Sequence, residues 1–500
     1  MTRINTNIQS LVAQRSLRSN NAALNQSLQR LSTGLRINSG KDDPAGLIAS
    51  ETLRSDLRAI DAAIDNATRA DTIVAIAEGG LQEINSLLLE LEELVDRTAN
   101  EAGLTNDEVA ANQLQIDSIL ASINRIADSV AFGDKKLLDG TFDFTTSGTT
   151  VNEATGQAVN HFNNIEIHSA KIPAGTFRQV TVNVLQPSTV GLLSSVLGGI
   201  DGTGALTGAL GNSTTLQIRG NLGSEILSFA SGTTAADMAT AINASKELTG
   251  VSATASAAAG GAASLIFQST TFGSDAFVSV NILENEGTGY TDAMQINTTQ
   301  AEGTDGSVTI NGSAAVVQGL DASVRTGSLA IDLALTSNFA GDPTNPTQTS
   351  SFEILGGGAV FSISPTVGLA GQESVGVKDV GTGNLGSVGA GFLSSLGSGQ
   401  ANGLAAKNFT VGQRIVREAI DQVSSLRGRL GAFQKNTLRT TINSLNVAKE
   451  NVTSAESAIR DADFAVETSN LTRSQILVQS STMTLQLANA QPQNVLALIG

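Results

Sequence analysis

The sequence predicts an α + β multidomain protein, with long terminal α-helices in coiled-coil and bundle domains and β-rich outer domains inserted between them. Three observations carry this. Residues 1–131 contain no aromatic residue and one proline, Pro44, and their apolar residues recur at heptad spacing. Residues 405–499 show the same heptad spacing of apolar residues, again with one proline, Pro492. The stretch between them is rich in Gly, Ser and Thr and holds five of the seven prolines. Helical ends that must find each other across a β-rich insert suit a chain built to assemble, with the insert displayed outward.

The first helix places Leu17, Leu24, Leu28, Leu31 and Leu35 on one seam and breaks at Asn38-Ser39-Gly40. The next starts at Asp42-Asp43-Pro44, an N-cap followed by a first-turn proline. Its seam runs through Leu53, Leu57, Ile60, Ile64, Ala67, Val74, Ala77, Leu81, Ile84, Leu88, Leu91 and Val95. At 1.5 Å per residue this helix is on the order of 75 Å long, more than a globular core spans, so the seam requires partner helices. Gly79-Gly80 inside it, at ~1 kcal/mol per glycine, points to a close helix crossing or a kink. Gly103 stops the helix, and Thr105–Glu108 is a capping box opening another. Asp139-Gly140 reads as a hairpin turn.

The partner seams lie at the far end. Val416, Ala419, Val423, Leu426, Leu430 and Phe433 repeat at three and four, and Leu438, Ile442, Leu445, Val452, Ala455 and Ile459 continue in a shifted phase. Phe464, Leu471, Val478 and Leu485 follow, each seven apart. These seams pair with one another, with neighbouring subunits, or both; an ordinary intramolecular bundle is the alternative. In the insert, 215–218, 226–229, 251–255, 264–268 and 276–282 read as strands and Thr234 opens a short helix, making one α+β unit. Residues 307–365 suggest a β-rich unit with turns at Asn311-Gly312 and Gly356-Gly357-Gly358, and 381–403 read as a linker.

Net charge is −17, which argues against nucleic-acid binding. The charge is uneven: residues 1–40 hold five Arg and no acid, whereas the insert is acidic. The absence of cysteine excludes disulfides, thiol catalysis and Cys-ligated metal. The start, Met-Thr-Arg-Ile-Asn-Thr-Asn-Ile, lacks the apolar region of a Sec signal, and no run reaches the ~18 apolar residues of a membrane span. That leaves a cytosolic protein or one exported by a route that keeps the N-terminus uncut. His161 and His168 lack HExxH spacing and read as solvent-exposed strand residues. No GxSxG or phosphate loop is present, and Glu90, Glu92 and Glu93 read as a solvated helix face. No catalytic residue, metal or cofactor is expected, and the chain is not read as an enzyme.

The residues Arg3-Ile4-Asn5-Thr6-Asn7 and Leu31–Gly46 (Leu-Ser-Thr-Gly-Leu-Arg-Ile-Asn-Ser-Gly-Lys-Asp-Asp-Pro-Ala-Gly) closely resemble the N-terminal signature of bacterial flagellin. Ala462-Asp463-Phe464-Ala465, Ser474-Gln475-Ile476-Leu477 and Gln491–Leu496 resemble its C-terminal signature, and 215–282 resemble a repeat module of large flagellins. The resemblance implies a filament subunit of the bacterial flagellum, secreted and extracellular, polymerising for motility by coupled folding and packing of its terminal helices. The domains it implies are 1–43 with 455–500 as an inner tube and 44–180 with 400–454 as a helical bundle bearing a β-hairpin. The insert would then divide into an α+β module at 181–300 and a β-rich module with linker at 301–399. Leu17, Leu24, Leu28, Leu31 and Leu35 would pack with Phe464, Leu471, Val478 and Leu485. Leu57, Ile60, Ile64, Leu81, Ile84, Leu88 and Leu91 would pack with Val416, Val423, Leu426, Leu430 and Phe433. Implied partners are the chain itself as a helical homopolymer, the flagellar export apparatus, an export chaperone, and the filament cap and hook-junction proteins. No nucleic acid or membrane is among them.

In flagellins sensed by the animal flagellin Toll-like receptor, the contact stretch resembles Gln-Arg-Val-Arg-Glu-Leu-Ala-Val. This chain has Leu89, Glu90, Leu91, Glu92, Glu93, Leu94, Val95 and Asp96 there, with Gln115 opposite on the neighbouring helix. Glu90 and Glu92 reverse the charge of basic residues, so weak or absent receptor activation is expected. The rival readings are a hook-filament junction protein and a flagellin whose insert serves as an adhesin.

Overall fold

The computed structural model describes residues 6–100, 103–147, 151–152, 161–173, 176–197, 209–210, 212–257, 263–285, 295–296, 299–342, 347–387 and 389–499. Arg3, Ile4 and Asn5 of the N-terminal signature lie outside these residues, and the side chains from Pro492 onward are outside them too. The helices are α1 (Ile8–Thr33), α2 (Pro44–Thr98), α3 (Asn106–Ser129), α4 (Ala235–Ala244), α5 (Lys246–Thr249), α6 (Ser337–Ala340), α7 (Phe409–Ala432), α8 (Arg439–Arg460) and α9 (Phe464–Ile499). The chain divides into two compact units.

The first unit comprises Met1–Thr72, Phe361–Gly371 and Ala432–Gly500. In it, α1 pairs antiparallel with α9, and the first part of α2 packs on α8. Ile60 and Ala63 meet Leu445, with Ile64, Ala448 and Val452 alongside. Ala67 and Ala70 meet Leu438 and Ile363, with Phe361, Phe433 and Ile442 around them. The expected partner of Leu57, Ile60 and Ile64 is the 416–433 seam; the structure gives Ile60 and Ile64 α8 instead, and leaves Leu57 half-buried. A π-helix at Phe433–Leu438 separates α7 from α8. Its wider turn places Phe433 and Leu438, five apart, on one face, which is the physical origin of the phase shift in the sequence.

The second unit comprises Ile73–Val360 and Gln372–Gly431. Its helical part buries Leu81, Ile84, Leu88, Leu91 and Val95 of α2, Ile116, Ile119 and Ile123 of α3, and Ile415, Val416, Val423, Leu426 and Leu430 of α7. Thr105 and Glu108 form the reciprocal capping box that starts α3. Gly80 is the close crossing: a Cβ there would lie 2.7 Å from Val130 and 2.9 Å from Leu138, whereas Gly79 faces open space. The hairpin pairs Ala131-Phe132 with Lys135-Lys136, so it turns at Gly133-Asp134 and not at Asp139-Gly140.

Two β cores complete this unit. One lies between a sheet containing Ser307–Ile310, Arg178–Gln186, Gln348–Gly357 and Phe144–Thr146 and a sheet containing Val316–Gln318, Asp321–Arg325, Leu329–Leu335 and Phe162–Ala170. The other joins two four-stranded sheets and α4, with Met238 and Ile242 against Leu216, Phe267 and Val280. The boundaries expected at 180/181 and 300/301 therefore move. Strands from 144 to 186 share a core with strands from 307 to 357: Val182 and Val180 pair with Ile310 and Phe352 in one sheet, and Leu333 of the opposite sheet belongs to the same core. The α+β module is inserted within that sandwich. Residues 381–403 are not a slack linker. Leu385, Leu393 and Leu396 are buried, and three amides hold the backbone. Gln113 donates to Leu396 O (2.9 Å) and accepts from Leu404 N (2.8 Å); Asn124 accepts from Thr382 N (2.9 Å); Gln422 accepts from Gly386 N (3.0 Å) and donates to its carbonyl (2.8 Å).

Candidate functional site

The terminal helices form one surface and their corners another. Among the described side chains of the α1–α9 pair, the buried ones are small or polar: Ser10, Ala13 and Ser27 on α1, and Glu467, Ser474 and Ala488 on α9. Small side chains let the backbones approach, and polar ones then bridge them. Asn7 Nδ2 donates to Ala488 O (2.7 Å), Ser10 Oγ donates to Asn489 Oδ1 (2.8 Å), and Asn20 Nδ2 donates to Ser481 Oγ (2.6 Å). Arg30 lies 3.8 Å from the buried Glu467.

The expected apolar seam is only partly used within this pair. Leu17, Leu24, Leu31, Leu35, Leu471, Val478 and Leu485 are half-buried. Leu28 and Phe464 are 46% and 63% exposed, so the expectation that they pack between these two helices is corrected. Both lie on faces that the small-residue contact turns outward, together with Ile8, Leu11, Val466, Ile476, Met483 and Leu487. A large apolar surface rimmed by polar residues marks an association site. Apolar periodicity could not reveal Ser10, Ala13, Ser27 and Ser474 as contact residues, since small residues carry little hydrophobic signal.

The two corners of this unit are stapled together. α1 ends at Gly34, in the left-handed region at φ 72°, where a side chain would be strained. Asp42 Oδ2 accepts from Ser39 N (2.9 Å), Ser39 Oγ (2.9 Å) and Asn38 N (3.3 Å), and the Ser39 hydroxyl above all holds its carboxyl below the usual range. Asp43 Oδ1 caps α2 by accepting from Gly46 N (2.9 Å), and Ile37 is buried under the turn. Gly46 packs closely under this turn: a Cβ there would stand 2.5 Å from Asp43 Oδ2 and 2.6 Å from Ile37 Cδ1, so a larger residue would have to displace the capping carboxylate and the buried isoleucine. Across the gap Arg36 N donates to Arg460 O (2.7 Å) and Ala462 N to Gly34 O (2.9 Å). The Arg36 guanidinium donates to Ile459 O (2.6 Å), satisfying a carbonyl at the end of α8. Arg460 donates to Glu51 (2.8 Å) and holds that carboxyl down. The Leu31–Gly46 and Ala462–Ala465 signatures are thus two halves of one joint between successive helix pairs.

On the helical face of the second unit, Leu89, Glu90, Glu93 and Gln115 are exposed. Glu93 pairs with Arg97, and Glu92 accepts from Arg417 Nε (2.8 Å). Leu94 is buried, which corrects its inclusion in an accessible surface: it faces the helical core one turn from Leu91. The histidines are not the exposed strand residues expected. His161 is buried and stacks on Phe339 at 4.4 Å, and burial lowers its pKa. His168 Nε2 lies 2.6 Å from Asp332 in an ionic network where Glu166 also meets Arg429 (3.1 Å) and Lys378 (3.2 Å). Among the described residues no group of His, Cys, Asp and Glu could hold a metal ion, and no helix is long and apolar enough to cross a membrane.

Paired terminal helices with outward apolar faces, carrying an inserted β-rich region, define a self-assembling structural protein. The chain matches the bacterial flagellin N-terminal helical region over residues 4–143, the C-terminal helical region over 414–499, and the flagellin hook IN motif over 215–271. It is 30% identical over 529 residues to a flagellin of Salmonella rubislaw, and 29% identical over 538 residues to the B-type flagellin of Pseudomonas aeruginosa; each alignment covers 99% of both chains. Among solved structures, the FlgL protein of Xanthomonas campestris aligns with a TM-score of 0.28 at 12% identity, over 80% of this chain and 98% of that one. The chain belongs to the bacterial flagellin family. It is a structural subunit of the extracellular flagellar filament, which serves motility.

Proposed function

We propose that the chain polymerises by burying the outward faces of α1 and α9 against neighbouring copies, with folding of the terminal helices completed on docking. The observation that carries this is the exposure of Leu11, Phe464, Ile476, Met483 and Leu487 beside a helix pair held by small residues. Such a pair buries little apolar area alone, so ordering it costs more than it returns until a neighbour covers it. In this reading Leu17, Leu24, Leu28, Leu31, Leu35, Phe464, Leu471, Val478 and Leu485 serve packing within and between subunits. Contacts repeat heterologously, since repetition without closure builds an open helix. The chain has no enzymatic role. It reaches the cell exterior through the flagellar export apparatus with a chaperone, and meets cap and hook-junction proteins at the filament ends.

The test is electron microscopy of purified protein with short filament seeds, beside a chain lacking residues 1–40 and 464–500. Filaments from the full chain alone are expected. Monomers from both, with protease-resistant termini in the full chain, would overturn the reading. At the Leu89–Asp96 stretch, the exposed Glu90 and the half-buried Glu92 carry negative charge where the sensed stretch has arginine, which supports weak or absent activation of the flagellin receptor. A reporter cell responding as it does to a strongly sensed flagellin would refute this.

A further inference from the structure

The segment Phe361–Gly371 comes from the insert in sequence, yet it belongs to the compact unit of the terminal helices. Its base is anchored. Ile363 is buried with Ala67, Ala70 and Leu438, and the Phe361 ring lies 6.2 Å from the Phe433 ring at the π-turn. Ile363 N donates to Gly371 O (3.0 Å) and Gly371 N to Gly368 O (3.0 Å), closing the segment into a finger. Gly371 is packed so tightly that a Cβ would stand 2.4 Å from Ser364 Cβ.

The tip is the opposite. Val367 is 94% exposed, Leu369 is also exposed, and no charged residue occurs between 361 and 371. A lone exposed valine on a surface is ordinary. Here it stands on a rigid, uncharged support within the unit that carries the assembling helices. The finger also lies outside the three stretches that match the flagellin family.

Resting on the filament reading above, we infer that the finger tip, Val367 with Leu369, docks on a second copy of this chain and adds a subunit contact outside the family-matched helices. The filament supplies the occupant, because every subunit is surrounded by copies of itself. The contact is heterologous, so the tip meets a different surface of the neighbour.

The chain has no cysteine, so Val367→Cys introduces a single thiol. Its rate of reaction with a maleimide is compared in monomers and in seeded filaments of the purified full-length chain. Val316→Cys is the control, since Val316 is 74% exposed on a strand of the insert. Thiol reactivity follows exposure, so roughly tenfold slower labelling of position 367 in filaments is expected, with the control unchanged. Arrested growth of Val367→Cys on wild-type seeds, with an unchanged monomer melting curve, would support the contact as well. Equal labelling of position 367 in monomer and filament overturns it while leaving the filament reading intact. Failure of the wild-type chain to polymerise removes both.

Discussion

The long helix of the second unit and the terminal pair of the first solve the same problem in opposite ways. In the bundle, Leu81, Ile84, Leu88 and Leu91 are completely buried by partners from the same chain. In the α1–α9 pair the fully buried contacts belong to Ser10, Ala13, Ser27, Ser474 and Ala488, the leucine seam is only half-buried, and Leu11, Leu28, Phe464, Ile476, Met483 and Leu487 face outward. Burial within the chain gives a unit stable on its own. Burial deferred to neighbours gives a unit whose stability depends on assembly, and so links folding to polymerisation.

The sharpest way to break this comparison is a matched pair of substitutions. Leu88→Ala leaves a cavity in the bundle and is expected to cost the monomer about 3 kcal/mol in urea unfolding. Leu487→Asp, at a site 69% exposed on α9, should change monomer stability little while stopping growth on seeds. If Leu487→Asp filaments grew normally, the outward face of α9 would have no part in assembly.

The next largest effect tests how the insert is tied to the bundle. Gln113→Leu deprives the Leu396 carbonyl and the Leu404 amide of their partner in a buried site, at an expected cost of about 2 kcal/mol. A slack linker would not register the change. Unfolding curves and protease cleavage between 381 and 403 read the outcome.

What the sequence revealed follows from which forces leave a periodic trace. Leucine and isoleucine seams announced the helices, and the phase shift after Phe433 announced an irregularity, though only the structure identifies it as a π-turn. Glycine-rich composition concealed the order of 381–403, because its structure comes from distant amides on α3 and α7. The strand Phe162–Ala170 falls within the expected helical bundle and Arg178–Gln186 straddles its expected edge at 180/181, because their sheet partners lie more than a hundred residues away. The corner signature was recognisable as a string of residues, but its physical role appeared only when Arg36 was seen to cap α8.

Within the bundle, the adjacent glycines of α2 offer a smaller and signed test. Gly79→Ala faces open space and should stabilise the helix by ~1 kcal/mol, because glycine is the poorer helix former. Gly80→Ala gains the same propensity but must push aside Val130 and Leu138, and is expected to be destabilising by ~1 kcal/mol net. Thermal melts of the two variants should therefore move in opposite directions. Equal shifts would mean that the α2 crossing is looser than the distances require.

The smallest expected effect concerns the corner, where the comparison can be tuned by pH without touching a helix. The folded state holds the Asp42 carboxyl below its ordinary value of 3.8, chiefly through the Ser39 hydroxyl, and Glu51 below 4.5 through Arg460. For a depressed carboxyl the folded state binds the proton less readily than the unfolded one. Its contribution is therefore fully present above the ordinary value and is lost as pH falls through the lower, folded value. Amide exchange along Ile37–Leu47 should accelerate, relative to intrinsic rates, as pH drops below about 4. The buried α2–α3–α7 residues, which rest on apolar contacts, should show no matching change. Asp42→Asn should flatten much of the corner's response and leave a remainder from Glu51. An unchanged acid response in that variant would mean that the Asp42 hydrogen bonds do not hold the joint closed.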